Sequence, residues 1–227
     1  MGKTNIDYVT RSYNPNTGCL HTLAECPTSD KCYARRSAKR FSALFGPDFQ
    51  PRWHEHRLQE PLGWKEPQRV AVCFQGDLFG VWNQTPAGLR YIRRTLDVVF
   101  ACPQHTFLFL TKRPEHLARW NPWPVNAWVG TSITGAECPG RALEMLEALM
   151  QVKGAPVRWV SYEPVLGPLT CVPEIGWLVI GAQTGPRAIR PKPEWLKDAC
   201  VWAFTHGIPI FEKANLRVCR ALTQQWP

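Results

Sequence analysis

No stretch of this 227-residue chain approaches the ~18 consecutive apolar residues that a bilayer-spanning helix requires, and the longest apolar runs are strand-sized. Nor do the opening residues Met1-Gly2-Lys3-Thr4-Asn5 lead into an apolar core, so no secretory leader is expected, no membrane partner, and a reducing cytoplasm is the default setting. Low-complexity tracts are missing too. With 44% hydrophobic and 20% charged residues the composition is ordinary for a globular chain, which excludes wholesale disorder. Acids are the scarce charge: 18 Asp and Glu against 27 Lys and Arg leave a net +9, which favours a polyanionic partner such as nucleic acid. Nine cysteines without an export signal argue for metal or redox chemistry rather than a disulfide scaffold.

What is present divides near residue 70. The first third, 1–69, is polar, loop-rich and basic, whereas 70–227 alternates short apolar runs with amphipathic segments, and the whole reads as one domain. Strands are expected at 70–75, 106–111, 127–132, 157–161, 177–181 and 208–211, and helices at 86–101, 140–150 and 193–205. Pro86 suits a first helical turn, with Leu89, Ile92, Leu96 and Val99 on one face behind it. Repeated strand, loop and helix units imply an α/β fold with parallel strands, either an open doubly wound sheet or a complete or partial barrel. Either architecture gathers ligands at the carboxyl ends of its strands. Those ends carry Gln75-Gly76-Asp77, Thr111-Lys112-Arg113, Thr131-Ser132, Ser161 with Glu163, Gln183-Thr184 and Glu212-Lys213, a rim of mixed charge.

The most informative segment runs Asn14-Pro15-Asn16-Thr17-Gly18-Cys19 and continues to Cys26 and Cys32, a C-x6-C-x5-C spacing. Three thiolates within fourteen residues of a loop punctuated by Pro and Gly can converge on one point. Spacing alone leaves three readings open: an iron-sulfur cluster, a structural zinc with His21 as fourth ligand, or no metal. The other six cysteines, Cys73, Cys102, Cys138, Cys171, Cys200 and Cys219, read as small hydrophobes.

Ordered motifs extend this pattern along the chain. They are Cys32-Tyr33-Ala34, Gly76-Asp77-Leu78-Phe79, Leu110-Thr111-Lys112-Arg113-Pro114, Trp128-Val129-Gly130-Thr131-Ser132, Ser161-Tyr162-Glu163-Pro164 and the stretch 177–191. With the Asn14-to-Cys19 segment they resemble the phage-associated three-cysteine-motif family of radical S-adenosylmethionine-like proteins, a domain of unknown function. Three departures stand out. Pro27-Thr28-Ser29-Asp30-Lys31 separates the second and third cysteines where the family usually has two residues. Gln183 stands where the family commonly has Glu, and the usual Lys-Gln-Trp-Gly ending is reduced to Lys213-Ala214-Asn215.

The resemblance implies a partial (β/α) barrel of the radical S-adenosylmethionine type with a loop-rich N-terminal cluster-binding segment. It implies that Cys19, Cys26 and Cys32 hold a 4Fe-4S cluster whose open iron chelates S-adenosylmethionine, with an electron donor as partner and the cytoplasm, the host's for a phage-encoded chain, as location. Gly76, Asp77, Thr131, Ser132 and Glu163 are then expected around the cofactor, Asp77 receiving the methionine ammonium and Glu163 the ribose. No catalytic side chain is assigned. The implied substrate is a nucleobase, with isomerisation of an amino-acid-decorated thymidine in phage DNA as the specific expectation. Lys112 and Arg113 are expected to hold phosphate, with the Arg35, Arg36, Lys39, Arg40 run as a further basic face, and Trp53, Trp64, Trp82, Trp120 and Trp123 as base-stacking candidates. The competing functions are a zinc-holding nucleic-acid-binding protein without catalysis, and radical chemistry on a peptide or small molecule.

Overall fold

The structure is a computed structural model that describes residues 4–42, 48–169, 174–218 and 220–227. Seven parallel strands pair in chain order: β1 (Arg11–Tyr13), β4 (Arg69–Val72), β5 (Thr106–Thr111), β6 (Ala127–Ile133), β7 (Val157–Tyr162), β8 (Trp177–Ile180) and β9 (Ile210–Glu212). A small antiparallel pair, β2 (Asn16–Thr17) and β3 (Arg52–Trp53), stands beside them. Helices Pro86–Phe100, Arg141–Met150 and Pro193–Thr205 lie where the apolar spacing predicts them. Thr85 caps the first, its hydroxyl accepting the Gly88 N–H at 3.1 Å, and Pro86 occupies the first turn. Among the described residues no helix is long and apolar enough to cross a membrane.

Two differences from the sequence reading matter for the site. The sheet begins earlier than expected, because β1 in the loop-rich third pairs with β4. Strand β4 ends at Val72 rather than 75, since Cys73 adopts φ +57 and turns the chain, with the Gly76 N–H donating to the Cys73 carbonyl at 3.0 Å.

Strand alternation sorts the side chains into two layers. Phe107, Phe109, Val129, Val160 and Leu178 face the helices in the main core. Ala71, Leu108, Trp159, Trp177, Val179 and Phe211 face the other way and share a second cluster with Tyr8 and Val9 of the N-terminal segment. The Tyr8 ring meets Trp159, Trp177 and Phe211 edge-on at 5.5–5.9 Å. One short segment reaches all of these strands because the sheet curls around it into a half-barrel whose floor it fills. Gly130 makes room for that interior: a Cβ there would sit 2.7 Å from the Trp159 indole and 2.6 Å from its carbonyl.

Gly130→Ala should therefore overpack the interior and destabilise the fold by about 1–3 kcal/mol. Urea unfolding is the measurement, and an unshifted midpoint would show that the Trp159 layer has slack.

Candidate active site

Parallel strands in chain order place all their carboxyl ends on one side, and there a cavity of about 810 Å³ opens. Its floor includes Ile6 and Tyr8. Its wall includes Cys19, Cys26 and Cys32 together with Asp77, Lys112, Ser132, Glu163, Gln183 and Lys213. The topology thus gathers the cysteine loop and the strand-end rim around a single space.

The cysteine loop is held by its own motif. Asn14 Oδ1 accepts the Gln75 N–H at 3.4 Å, and the Asn16 amide donates to the Arg52 carbonyl at 3.1 Å. Asn16 Oδ1 in turn accepts from buried Asn83 at 3.3 Å, while the Thr17 hydroxyl meets His54 Nε2 at 2.8 Å. Gly18, at φ +90, donates to the Gln75 carbonyl at 3.0 Å and bridges to Gly76 as a continuation of the sheet. A Cβ on Gly76 would lie 2.5 Å from the Gly18 carbonyl oxygen, and one on Gly18 would lie 2.2 Å from that of Gln50. Gly76 lines the cavity, and its lack of a side chain is required by the loop.

Beyond Cys19 the longer spacing is wound into turns, with Ser29 N–H on the Cys26 carbonyl at 2.9 Å and Lys31 N–H on that of Thr28 at 3.1 Å. Cys32 then caps the helix Tyr33–Arg40. Cys19 and Cys32 pack against Ala34, Ala38 and Phe49, an apolar backing. Burial pushes the Cys19 thiol up to about 12, against the His21 backbone hydrogen bond, and the charges of Asp77, Cys32 and Cys26 push it the same way. Such a thiol keeps its proton unless a cationic centre displaces it. Among the described residues no three His, Cys, Asp or Glu side chains converge on a single-ion site. A four-iron cluster differs from one zinc ion in this respect, because its ligands bind separate irons and stand apart.

Asp77 corrects an expectation. It is 4% exposed, and both its oxygens are taken: Oδ1 accepts from the Thr111 hydroxyl at 2.7 Å and Phe79 N–H at 3.1 Å. Oδ2 meets the Lys112 N–H at 2.9 Å and His21 Nε2 at 2.9 Å. Burial alone would raise its pKa, yet the His21 hydrogen bond and charge, with the Lys112 and Thr111 donors, hold it below the usual carboxylate range. The carboxylate has no lone pair left for a methionine ammonium. It is a positioning residue that ties the cysteine loop to the ends of β4 and β5.

Other assignments divide. Thr131 lies fully buried with its hydroxyl donating to the Thr111 carbonyl at 2.9 Å, on the helix side, so it does not reach the cavity. Ser132 does: it accepts from Lys112 Nζ at 2.9 Å and donates to the Glu163 carbonyl at 3.2 Å. Glu163 Oε1 takes Lys213 Nζ at 2.5 Å and the Asn215 amide at 3.5 Å, and among the described residues Oε2 has no donor. Arg113 turns away from the cavity and pairs with Glu25 and with Glu115, the latter at 3.4 Å, so its expected phosphate role is not what the geometry offers. Glu212 also faces the helix side, where it is fully buried against Arg220.

Of the tryptophans, Trp120 and Trp123 belong to the core, Trp53 stacks on Tyr91 at 4.6 Å, Trp64 packs on Tyr13, and Trp82 meets His21. None is a free stacking platform. Cys73 and Cys102 are buried as expected, Cys200 is half-buried and Cys138 exposed; Cys171 and Cys219 lie outside the described residues. The sequence placed Lys213 on the rim without showing its pairing with Glu163, and carried no sign of His21 as the partner of Asp77.

Asp77→Asn should cost about 1–3 kcal/mol, as leaving buried donors without their acceptor does. An Asp with a depressed folded pKa contributes stability that is complete above the unfolded value near ~3.9 and is lost as pH falls through the folded one. Denaturant titrations at descending pH should show a flatter acid profile in the variant; parallel profiles would remove Asp77 from this role.

Comparison with known proteins places this geometry in a family without assigning it chemistry. No curated protein and no solved structure matches the chain. A match does run over residues 3–216 to the family described as "Protein of unknown function (DUF5131)". Because that match takes in the cysteine loop, the curled sheet and the rim alike, the chain belongs to the DUF5131 family.

Proposed function

We propose that this chain is a radical S-adenosylmethionine enzyme, built on the partial barrel of that type, that modifies a nucleobase. One observation carries the reading: three cysteines of one short loop line a single cavity at the carboxyl ends of an ordered parallel half-barrel. Cys19, Cys26 and Cys32 would hold the 4Fe-4S cluster, with Ala34, Ala38 and Phe49 limiting water on one side. The raised Cys19 thiol fits a ligand whose proton is given up only to a cationic centre. When bound, the cluster and S-adenosylmethionine together supply a one-electron cleavage that yields a 5'-deoxyadenosyl radical and methionine, the electron coming from an external donor.

The chain's own residues bind and orient. Gly76 and Ser132 offer close backbone and hydroxyl contacts, and Glu163 Oε2 can accept from a ribose hydroxyl or an ammonium while Lys213 and Asn215 fix Oε1. Asp77 acts at one remove, through His21 and the β5 end. The apolar floor at Ile6 and Tyr8 excludes water below the reacting centre. The nucleobase substrate rests on the net charge of +9 and on the family resemblance, with an amino-acid-decorated thymidine in phage DNA as the specific substrate and isomerisation as the reaction. The cytoplasm is the proposed location. A zinc site of Cys3His type is less favoured, because among the described residues no three His, Cys, Asp or Glu side chains converge on one ion.

Anaerobic reconstitution with iron and sulfide should give a brown protein that cleaves S-adenosylmethionine to deoxyadenosine when reduced. Cys19→Ala, Cys26→Ala and Cys32→Ala should each abolish the colour and the cleavage, whereas Cys200→Ala keeps both. A colourless protein retaining one zinc ion, or a cluster surviving Cys26→Ala, would overturn the assignment.

A further inference from the structure

The charge around the cavity mouth is lopsided. At the ends of β5 and β9 and on the helix after β6 most cations are paired with acids, Arg113 with Glu25 and Glu115, Arg141 with Glu115 and Glu144, and Lys213 with Glu163, while Lys112 Nζ meets the Ser132 hydroxyl. On two touching elements they are not. The segment through Cys32 and its helix carries Lys31, Arg35, Arg36, Lys39 and Arg40, none with a carboxylate partner among the described residues. The loop after β8 adds Arg187, Arg190 and Lys192, all exposed and likewise without an acid. These two elements touch. Arg36 donates to the Thr184 carbonyl at 3.0 Å, and a Cβ on Gly185 would lie 2.9 Å from its guanidinium carbon.

Gln183 fixes the loop further, its Oε1 accepting the Ile189 N–H at 2.9 Å, while Gln183 and Thr184 themselves line the cavity. Because Arg36 is bound by carbonyls rather than carboxylates, its charge adds to the lip instead of cancelling. Phe41, 47% exposed and also in the cavity wall, presents a ring beside these cations with the Arg40 guanidinium 5.3 Å from its centroid. A row of uncompensated cations next to an exposed aromatic ring is the chemistry that holds a phosphodiester strand and stacks a base. Because these cations lie on one pair of touching elements, they fit one strand.

We propose that the lip formed by 31–40 and 184–192 binds the phosphates of a single nucleic-acid strand and presents one of its bases to the cavity. This takes the place of the Arg113 contact expected from sequence, with Lys112 still in the cavity wall, and it rests on the cavity being the active site proposed above.

The probe is a fluorescent mixed-sequence single-stranded DNA of about 16 nucleotides, titrated at several salt concentrations. Each lost phosphate contact lowers the salt slope by about 0.7. The Arg187→Gln, Arg190→Gln, Lys192→Gln variant should drop by about 2 units and bind roughly fifty-fold more weakly at 0.15 M salt. Lys39→Gln with Arg40→Gln, on the other element, should drop by about 1.4. Arg90→Gln with Lys153→Gln, exposed but away from the mouth, should match the parent chain. Unchanged slopes in the lip variants, or an equal loss in the control, would overturn the lip. Iron content and DNA-free cleavage of S-adenosylmethionine should be unaltered in all three, so a parent chain that binds DNA through the lip yet assembles no cluster would refute the radical chemistry and leave the lip standing.

Discussion

Everything at the mouth of the half-barrel hangs on one buried, fully occupied carboxylate. Asp77 takes donors from three places that the chain separates widely: His21 in the cysteine loop, Phe79 just past β4, and Thr111 with Lys112 at the end of β5. A buried charge is costly unless every lone pair finds a donor, so these partners are held to one arrangement rather than merely attracted to it. The loop that carries the cysteines inherits its position from that requirement. Gly18 and Gly76 enforce the same junction sterically, their backbones meeting where no side chain would fit. Electrostatic and steric constraints therefore converge on the same few residues, and the cavity wall follows from both.

This arrangement shows what kind of information the linear chain carries. Periodicity located the helix Pro193–Thr205 and strand β5 to the residue, because local patterns of 3.6 and 2 are written in consecutive letters. It did not reveal β1, whose three residues are too short to show a period and become a strand only by pairing with β4. It overran β4, because the left-handed turn at Cys73 falls on a residue type that gives no warning of it.

Site residues divide along the same line. That the strand ends share one space was legible, since parallel topology forces it; that the three cysteines join them was only what the family resemblance implied. Which strand-end residue turns inward was half legible: Thr131 and Ser132 are adjacent in a strand, so only one of them can face the cavity, and the register selects Ser132. Arg113 was not legible at all. Its direction is set by Glu25, far away in sequence, and no local feature of Lys112-Arg113-Pro114 announces that pairing. Asp77 resembled a ligand for a similar reason, since a Gly-Asp pair at a strand end looks the same whether its oxygens are free or saturated.

The N-terminal segment that plugs the half-barrel sets a rule of traffic. With Ile6 and Tyr8 lining it below the strand ends, the cavity among the described residues opens past those ends. Whatever occupies its depth must arrive before anything that covers the mouth, and must wait for that cover to depart before leaving. A small molecule seated beside the cysteines and a larger one resting across the rim would consequently add in a fixed order and release in the reverse.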